Sequence, residues 1–509
     1  MDAATGLPRF LCNRGDNRHA YQGMPAHLFT VRSGSWKKVT GKGERVVRVP
    51  EPAIDIAKEI RSRGGRALLV GGGVRDALMG VQSKDTDIEV YGMESEQIEE
   101  VIKGMNPEYI DTVGRSFGVL KTKLGEYEFD ISIPRTESKQ GEGHKGFEIK
   151  GDPNMSPKEA ALRRDFTFNA IAQDPVTGEI LDFFGGHKDL AKGIIRATDS
   201  ERFRDDPLRV LRAAQFAGRF GFEIEENTAE LCHRMTQKEE FKNLPSARIG
   251  EEWKKLLLKS PCPSMGLEAG MQVGAWQALH PELAALSGVP QDEEWHPEGD
   301  VWVHTKMTAD VAAKIVEREK LEGDDALAVI LAALCHDIGK PSTTKFIDGR
   351  WKAREHADRG PEVFKRFVSR MEFGKNIEQR VAPLIKDHMF LASTKSSGTS
   401  DAAVRRLAKR LEPATIQELI WVMEADVEGR GTDSNWRKEA GDELLKKARE
   451  LDVSESKAEP ILTGKHLINE LGLKPGPEFG NVLNFVYEAQ LEGKVTNTEE
   501  ALNMVKDMG

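Results

Sequence analysis

The chain has 509 residues, 39% apolar and 31% charged, with a formal net charge of −10. That length is too great for one hydrophobic core and asks for three or more domains, while the acidic balance excludes a uniformly basic coat but not a local basic groove. Cys12, Cys232, Cys262 and Cys335 stand far apart with no Cys-x-x-Cys, against a disulfide scaffold or thiolate zinc site and for a reducing compartment.

In chain order, residues 1–50 carry scattered Gly, Arg and Lys; "ERVVRV" (44–49) has strand character, and the segment has no functional reading. "EPAIDIAKEIRSRG" (51–64) reads as an amphipathic helix stopped by Gly64 and Gly65. Strand-like runs follow at 66–71, 87–92 and 127–133 with helical stretches between them, the alternation of an α/β sheet. "SKQGEGHKGFEIKGDPNMSP" (138–157) reads as a mobile Gly-rich loop. Beyond about residue 186 helical patterns dominate, broken near 260–263, 285–300, 394–400 and 473–480. The longest apolar run, Ala326 to Cys335, is half a membrane span and reads as a buried helix. With no apolar signal core at the start, a soluble cytoplasmic protein with no membrane partner is expected. The fold class is therefore multidomain, α/β plus all-α. Its segments are an extension (1–50), an α/β head (51–190), a helical neck (191–298), a histidine-bearing helical domain (299–430) and a helical tail (431–509).

Chemistry concentrates first in "LLVGGGVRDALMGVQSKDTDIEVYG" (68–92). Asp85 and Asp87 are two apart on a strand and so share a face. Two adjacent carboxylates repel unless a cation neutralises them, and Mg²⁺ takes one or two carboxylates plus phosphate oxygens. Gly71, Gly72 and Gly73 let backbone approach a triphosphate, and the following helix N-terminus adds a favourable dipole. Asp130, in "EFDISI", is a candidate third carboxylate. Either motif alone is common in surface turns; their order along the chain is what points to a metal-dependent phosphoryl-transfer site.

Five motifs in order resemble the class II nucleotidyltransferases, which comprise bacterial CCA-adding tRNA nucleotidyltransferases and poly(A) polymerases: "GGGVRD", "DTD", "LRRDFTFNAIA" (162–172), "LDFFGGHKDL" (181–190) and "DDPLRVLRAAQFAGRFGF" (205–222). The resemblance implies that Asp85 and Asp87 hold catalytic Mg²⁺ with Asp130 beside them. It implies that Gly72, Gly73, Arg75, Arg163, Arg164, Asp165 and Asn169 bind nucleotide, and that Asp206, Arg209 and Arg212 belong to a nucleotide-selecting helix. Arg suits phosphate through its bidentate guanidinium. An Asp/Arg pair spaced three apart accepts from an exocyclic amine and donates to a ring nitrogen, which matches cytosine and adenine and mismatches guanine and uracil. A buried polar group left unpaired against the wrong base costs about 1–3 kcal/mol. Where the family has Glu-Asp-x-x-Arg, this chain departs with Asp205. A capped amphipathic helix with solvated charges reads the same locally. In the resemblance, a flexible loop between the catalytic and Arg-Arg-Asp motifs is needed for the final A, and 138–157 has full length for it.

A second set follows: His304, His336, Asp337, His356, His388 and Asp426, each in a helical stretch. Imidazole and carboxylate together suit a divalent metal, although any one of these histidines alone would more often be a partly buried structural residue. The order resembles the HD-domain phosphohydrolases. By that resemblance His304, His336, Asp337 and Asp426 are core ligands of a divalent metal of unspecified identity, and His356 and His388 match positions used for a second metal or for substrate. The implied activity is on 2′,3′-cyclic or 2′-phosphate RNA ends.

The expected partners are tRNA, CTP and ATP. RNA needs phosphate contacts; candidates are Arg202, Arg204, Arg212, Arg219, Lys254, Lys255 and the basic face of "VRRLAKRL", with Arg405, Arg406, Lys409 and Arg410. The leading reading is template-independent CCA addition to tRNA. A poly(A) polymerase and a phosphohydrolase with an RNA-binding head are the alternatives, and oligomeric state is not legible.

Overall fold

The computed structural model describes residues 49–81, 85–111, 119–139, 147–394, 399–431, 435–474, 476 and 478–507. The readings made for residues 1–48 and the centre of the expected loop, 140–146, lie outside the described residues. The chain divides into two compact units, one through Leu244 plus Gln272–Ala275 and one comprising Pro245–Met271 and Trp276 onward. The division falls inside the segment read as a neck. Among the described residues no helix is long and apolar enough to cross a membrane.

The first unit opens with α1 (Glu51–Ser62), which buries Ala53, Ile56, Ala57 and Ile60, one stripe at helical spacing. The elements β1 (Arg66–Leu69), α2 (Gly72–Leu78), β2 (Asp85–Tyr91), α3 (Ser95–Gly104), β3 (Tyr109–Asp111), β4 (Val119–Leu124) and β5 (Tyr127–Ser132) follow. With β8 (Ala172–Gln173) and β9 (Ile180–Leu181) they make a mixed seven-stranded sheet of order β3-β4-β5-β2-β1-β8-β9. Its central pair, β2 and β5, is parallel; β1–β2 and β4–β5 are antiparallel. One sheet face (Ala67, Leu69, Ile88, Val90, Phe129, Ile131) packs on α1 and α3. The other is covered near Leu68, Val70 and Tyr91 by Met155 and Ala160, the latter on α4 (Pro157–Leu162). That cover ends before Asp87, which is exposed.

The expected loop at 138–157 is corrected in part: β6 (Arg135–Lys139) pairs antiparallel with β7 (Phe147–Gly151). Interspersed Gly and Lys hid the alternation of "FEIKG". Past α5 (Gly186–Lys192), a short parallel pair joins β10 (Ile194–Ile195) to β11 (Glu223–Ile224). Between them α6 (Arg209–Phe220) buries Val210, Leu211, Ala213, Ala214, Phe216 and Ala217. Its Phe216 meets Phe166 and Phe168 at ring separations of 5.7 and 5.4 Å, which locks the Arg-Arg-Asp segment onto α6.

The second unit is helical. Its core holds α7 (Val301–Glu319), α8 (Gly323–Cys335), α9 (His356–Val368), α10 (Lys375–Asp387) and α11 (Ile416–Glu428). Every residue of α8 from Ala326 to Cys335 is buried, as the apolar run predicts. The helical reading missed a hairpin, β12 (Thr344–Ile347) with β13 (Arg350–Ala353). Its turn, Asp348 at φ 53° and Gly349 at φ 76°, needs positive φ at both central residues, and Asp-Gly between alternating residues was a legible signal for it.

Candidate functional sites

In the first unit the glycine turn and the strand carboxylates meet. Gly71 has φ 71°, and a Cβ there would stand 3.0 Å from Asp87 Oδ2 and 3.3 Å from Arg164 Nη1. Only glycine supplies both that conformation and that close approach. The helix α2 then starts at Gly72. Parallel register sets Asp87 beside Asp130 and Asp85 beside Glu128. Asp85 therefore occupies a position of the same strand face by alternation; its side chain lies outside the described ones. Asp130 is ion-paired with Lys121 at 3.0 Å, and Arg164 lies 3.7 Å from Glu89 Oε1.

Burial separates the other sequence candidates into two groups. Arg75, expected at the nucleotide, is buried. Its Nη1 donates to Asn169 Oδ1 at 2.7 Å, its Nε donates to Asp76 at 2.8 Å, and its guanidinium lies over Phe216 and Phe220. Asn169 Nδ2 donates in turn to Asp165 Oδ1 at 2.9 Å, and Arg212 Nε donates to Asp165 Oδ2 at 2.6 Å. Burial alone would raise the Asp165 pKa, but Arg212, Asn169 and the Phe166 N–H together hold it below the ordinary value. Arg75, Asn169 and Asp165 are buried and Arg212 is partly exposed; together the four side chains form a hydrogen-bonded chain bracing α2 to α6. Arg209 stays at the rim. Its Nη1 donates to Arg202 O at 2.7 Å and its Nη2 to Arg163 O at 2.6 Å. Asp206 accepts from Leu208 N at 3.1 Å, a local turn bond just ahead of α6, whose N-cap position is Leu208 with no side-chain cap.

The second unit gathers all six histidine and aspartate candidates. His304 Nε2 lies 3.2 Å from His336 Nε2 and 3.1 Å from Asp426 Oδ1. Asp337 Oδ2 is 3.2 Å from His336 Nε2, and its Oδ1 is 3.3 Å from His356 Nε2. His356 and His388 face each other, Nε2 to Nε2, at 3.1 Å. The Nδ1 atoms of His336, His356 and His388 lie 2.7, 2.7 and 2.6 Å from the carbonyls of Ala333, Ala353 and Ile385. A carbonyl only accepts, so each Nδ1 carries the hydrogen and each neutral ring presents a bare Nε2. Two bare nitrogens at 3.1 Å repel unless a cation stands by them. Ligand atoms of His304, His336 and Asp337, and of Asp337, His356 and His388, lie within 4.8 Å of one another. By that clustering and by the facing nitrogens the residues fit a divalent metal.

Protonation agrees. Burial would raise Asp337 and Asp426, but His336 and Lys340 for the first, and Arg430 and His304 for the second, hold both well below the carboxylate range. Burial, with His336 and His356 nearby, pushes His388 down to about 3. Ionised carboxylates and neutral imidazoles are the ligand forms a metal needs. Lys340 Nζ lies 2.7 Å from Asp337 Oδ2, and Arg430 Nη2 donates to Asp426 Oδ1 at 2.6 Å. Sequence reading missed Arg430 and also Glu298, whose Oε1 is 2.8 Å from His304 Nδ1 and 2.9 Å from His296 Nδ1. Glu298 sat in a stretch read as a break; its signal was a carboxylate just ahead of a ligand histidine.

The RNA-binding expectation meets a different environment. On α12 (Asp401–Leu411), Arg406 pairs with Glu492 at 2.7 Å, Lys409 with Glu488 at 2.7 Å, and Arg410 with Asp387 at 2.7 Å; Arg405 Nη1 donates to Leu491 O at 3.4 Å. Glu488 and Leu491 belong to α13 (Glu478–Leu491), so this basic face is occupied within the unit.

Comparison with known proteins agrees with this geometry. A family model described as the poly A polymerase head domain matches residues 67–196, and the HD domain model matches 301–430. A model described as probable RNA and SrmB-binding site of polymerase A matches 221–286, and one described as tRNA nucleotidyltransferase domain 2, putative, matches 414–505. The multifunctional CCA protein of Xanthomonas campestris pv. campestris (strain B100) is 36% identical over 371 residues, covering 71% of this chain and 85% of the relative. That of Pasteurella multocida (strain Pm70) is 36% identical over 369 residues, covering 71% and 83%. Among solved structures, the Bacillus stearothermophilus CCA-adding enzyme in complex with CTP shares the fold. Its TM-score is 0.62 at 20% identity, over 90% of this chain and 98% of that one. The Thermotoga maritima CCA-adding enzyme complexed with tRNA gives 0.55 at 21% identity, over 91% and 96%. With a head and an HD domain matched and relatives at this identity over most of their length, the chain belongs to the family of the multifunctional CCA proteins.

Proposed function

We propose that this protein adds C, C and A without a template to the 3′ end of tRNA, drawing on CTP and ATP. Family membership supports the reading. The observation that carries it is the meeting of Gly71, Asp87 and Arg164 at the open end of β2, with Asp130 in register.

In the reaction the terminal ribose 3′-oxygen bonds to the α-phosphorus, the bond from that phosphorus to the β-bridging oxygen breaks, and pyrophosphate leaves. Asp85, Asp87 and Asp130 are the proposed holders of Mg²⁺, which when bound supplies charge neutralisation at the attacking and leaving oxygens. Arg163 and Arg164 donate to the triphosphate, and backbone at Gly72 and Gly73 lets it approach. Asp206 and Arg209 read the base edge. The two carbonyls that hold Arg209 take two of its five N–H donors, so the guanidinium is oriented and still able to donate.

The histidine–aspartate cluster is the proposed divalent-metal phosphohydrolase site for 2′,3′-cyclic or 2′-phosphate RNA ends; a bound cation there would polarise the phosphate and acidify a water. Asp337 bridges the His304/His336/Asp426 group and the His356/His388 group through its two oxygens. A cytoplasmic location belongs to the same reading.

The test incubates tRNA lacking its 3′ end with each labelled nucleotide and Mg²⁺. Three added residues, C, C and A, are expected. An open-ended A ladder would point to a poly(A) polymerase instead, and phosphate release without incorporation to a phosphohydrolase with an RNA-binding head.

A further inference from the structure

Four imidazoles present Nε2 to the cluster in the second unit, yet they are held in two different ways. His336, His356 and His388 each have Nδ1 against a backbone carbonyl. His304 has Nδ1 against a carboxylate oxygen, Glu298 Oε1, at 2.8 Å. The Glu298 side chain is 2% exposed, and the same oxygen lies 2.9 Å from His296 Nδ1, with the His296 and His304 rings edge-on at 4.9 Å. The segment is fixed from below: Asp300 accepts from Val303 N at 2.9 Å to cap α7, and from Gly288 N at 2.6 Å. Glu298 lies two residues ahead of that cap, on backbone that the Asp300 bonds hold in place.

We propose that Glu298 is a positioning residue that makes His304 the strongest nitrogen donor of the cluster, with His296 as its brace. The inference rests on the metal-site reading of the preceding section. That carboxylate lies off the hydrogen-bonding direction of Nδ1 and acts through its charge. It favours a proton on Nδ1, and its field makes Nε2, which faces Asp426 Oδ1 at 3.1 Å, a more basic donor than a carbonyl neighbour would. The two halves of the cluster are then unequal. The half built by His304, His336, Asp337 and Asp426 takes a divalent ion more tightly than the half built by Asp337, His356 and His388.

The test is calorimetric titration of the full-length metal-free protein with Mn²⁺, followed by thermal unfolding of each variant with and without the ion. The wild type is expected to bind in a tight and a weak step. Glu298→Gln is expected to weaken the tight step by about 10- to 100-fold and leave the weak one, His296→Asn to weaken it less, and Glu298→Asp to recover part of the loss. If Glu298→Gln lowers only the unfolding temperature of the metal-free protein, with both Mn²⁺ affinities as in the wild type, Glu298 is merely structural and the inference falls. If the wild type itself binds no Mn²⁺, the metal-site reading falls and takes the inference with it. If the wild type binds in two equal steps, the claimed inequality is wrong.

Discussion

The two candidate sites are built on opposite principles. In the first unit the carboxylate Asp87 is exposed at the uncovered end of a strand face, near a glycine turn and the partly exposed Arg164. In the second, His304, His336, Asp337 and Asp426 are all buried and held by bonds to carbonyls, Arg430 and Glu298. An exposed carboxylate face keeps its water until a ligand displaces it. A buried cluster has already met the desolvation cost during folding and keeps one geometry for one kind of chemistry. The first unit also has a hydrogen-bonded chain, Arg75–Asn169–Asp165–Arg212, buried except at Arg212.

The sharpest way to break this contrast is to delete one carboxylate from each site. Asp87→Ala is expected to cut nucleotide incorporation by about 10³-fold or more, the several kcal/mol a metal clamp supplies, and to spare phosphate-end hydrolysis. Asp337→Ala should do the reverse. Loss of both activities in either folded variant would end the two-site division.

The next effect is in stability. Arg212→Ala removes the counter-charge of buried Asp165 and should cost about 3 kcal/mol at neutral pH, read as a shift in urea midpoint. Its pH dependence carries a sign. With a folded pKa below the unfolded one, Asp165 stabilises the wild type fully above the unfolded value of about 3.9, and that share fades as pH falls through the folded pKa. Without Arg212, burial dominates and the folded pKa rises, so the variant's deficit should shrink between pH 7.5 and pH 4.5. An undiminished deficit at pH 4.5 would mean that Arg212 matters by packing alone.

Gly71→Ala tests how close the turn sits to the carboxylate. A left-handed φ and a Cβ at 3.0 Å from Asp87 Oδ2 should together cost about 1–2 kcal/mol and lower incorporation several-fold, with hydrolysis as in the wild type. The smallest effect concerns the occupied basic face. Arg410→Ala, which breaks the pair with Asp387, should change stability by less than about 1 kcal/mol. If Arg410 contacts tRNA phosphate, the salt dependence of tRNA affinity should also fall by about one counterion; an unchanged slope removes it from the RNA surface.

Much of this molecule is decided by short-range rules that a sequence states openly. Glycine at 71, the Asp-x-Asp strand, the buried run 326–335 and the ordered His and Asp positions were all legible, because backbone conformation, side-chain alternation and apolar periodicity act within a few residues. Family motifs extended that reading to the activity. Long-range packing decided the rest. Whether an arginine lies open or against a phenylalanine core depends on elements far apart in the chain, and so the burial of Arg75 under Phe216 and Phe220 and its link through Asn169 to Asp165 came only from the fold. Which carboxylate stands behind His304 depended on how residues 285–300 fold back onto α7, and whether the basic face of α12 is open depended on Asp387, Glu488 and Glu492, which come from distant parts of the chain. Charge and hydrogen-bonding capacity are written in each residue, but the partner that satisfies them is chosen only when the chain closes on itself.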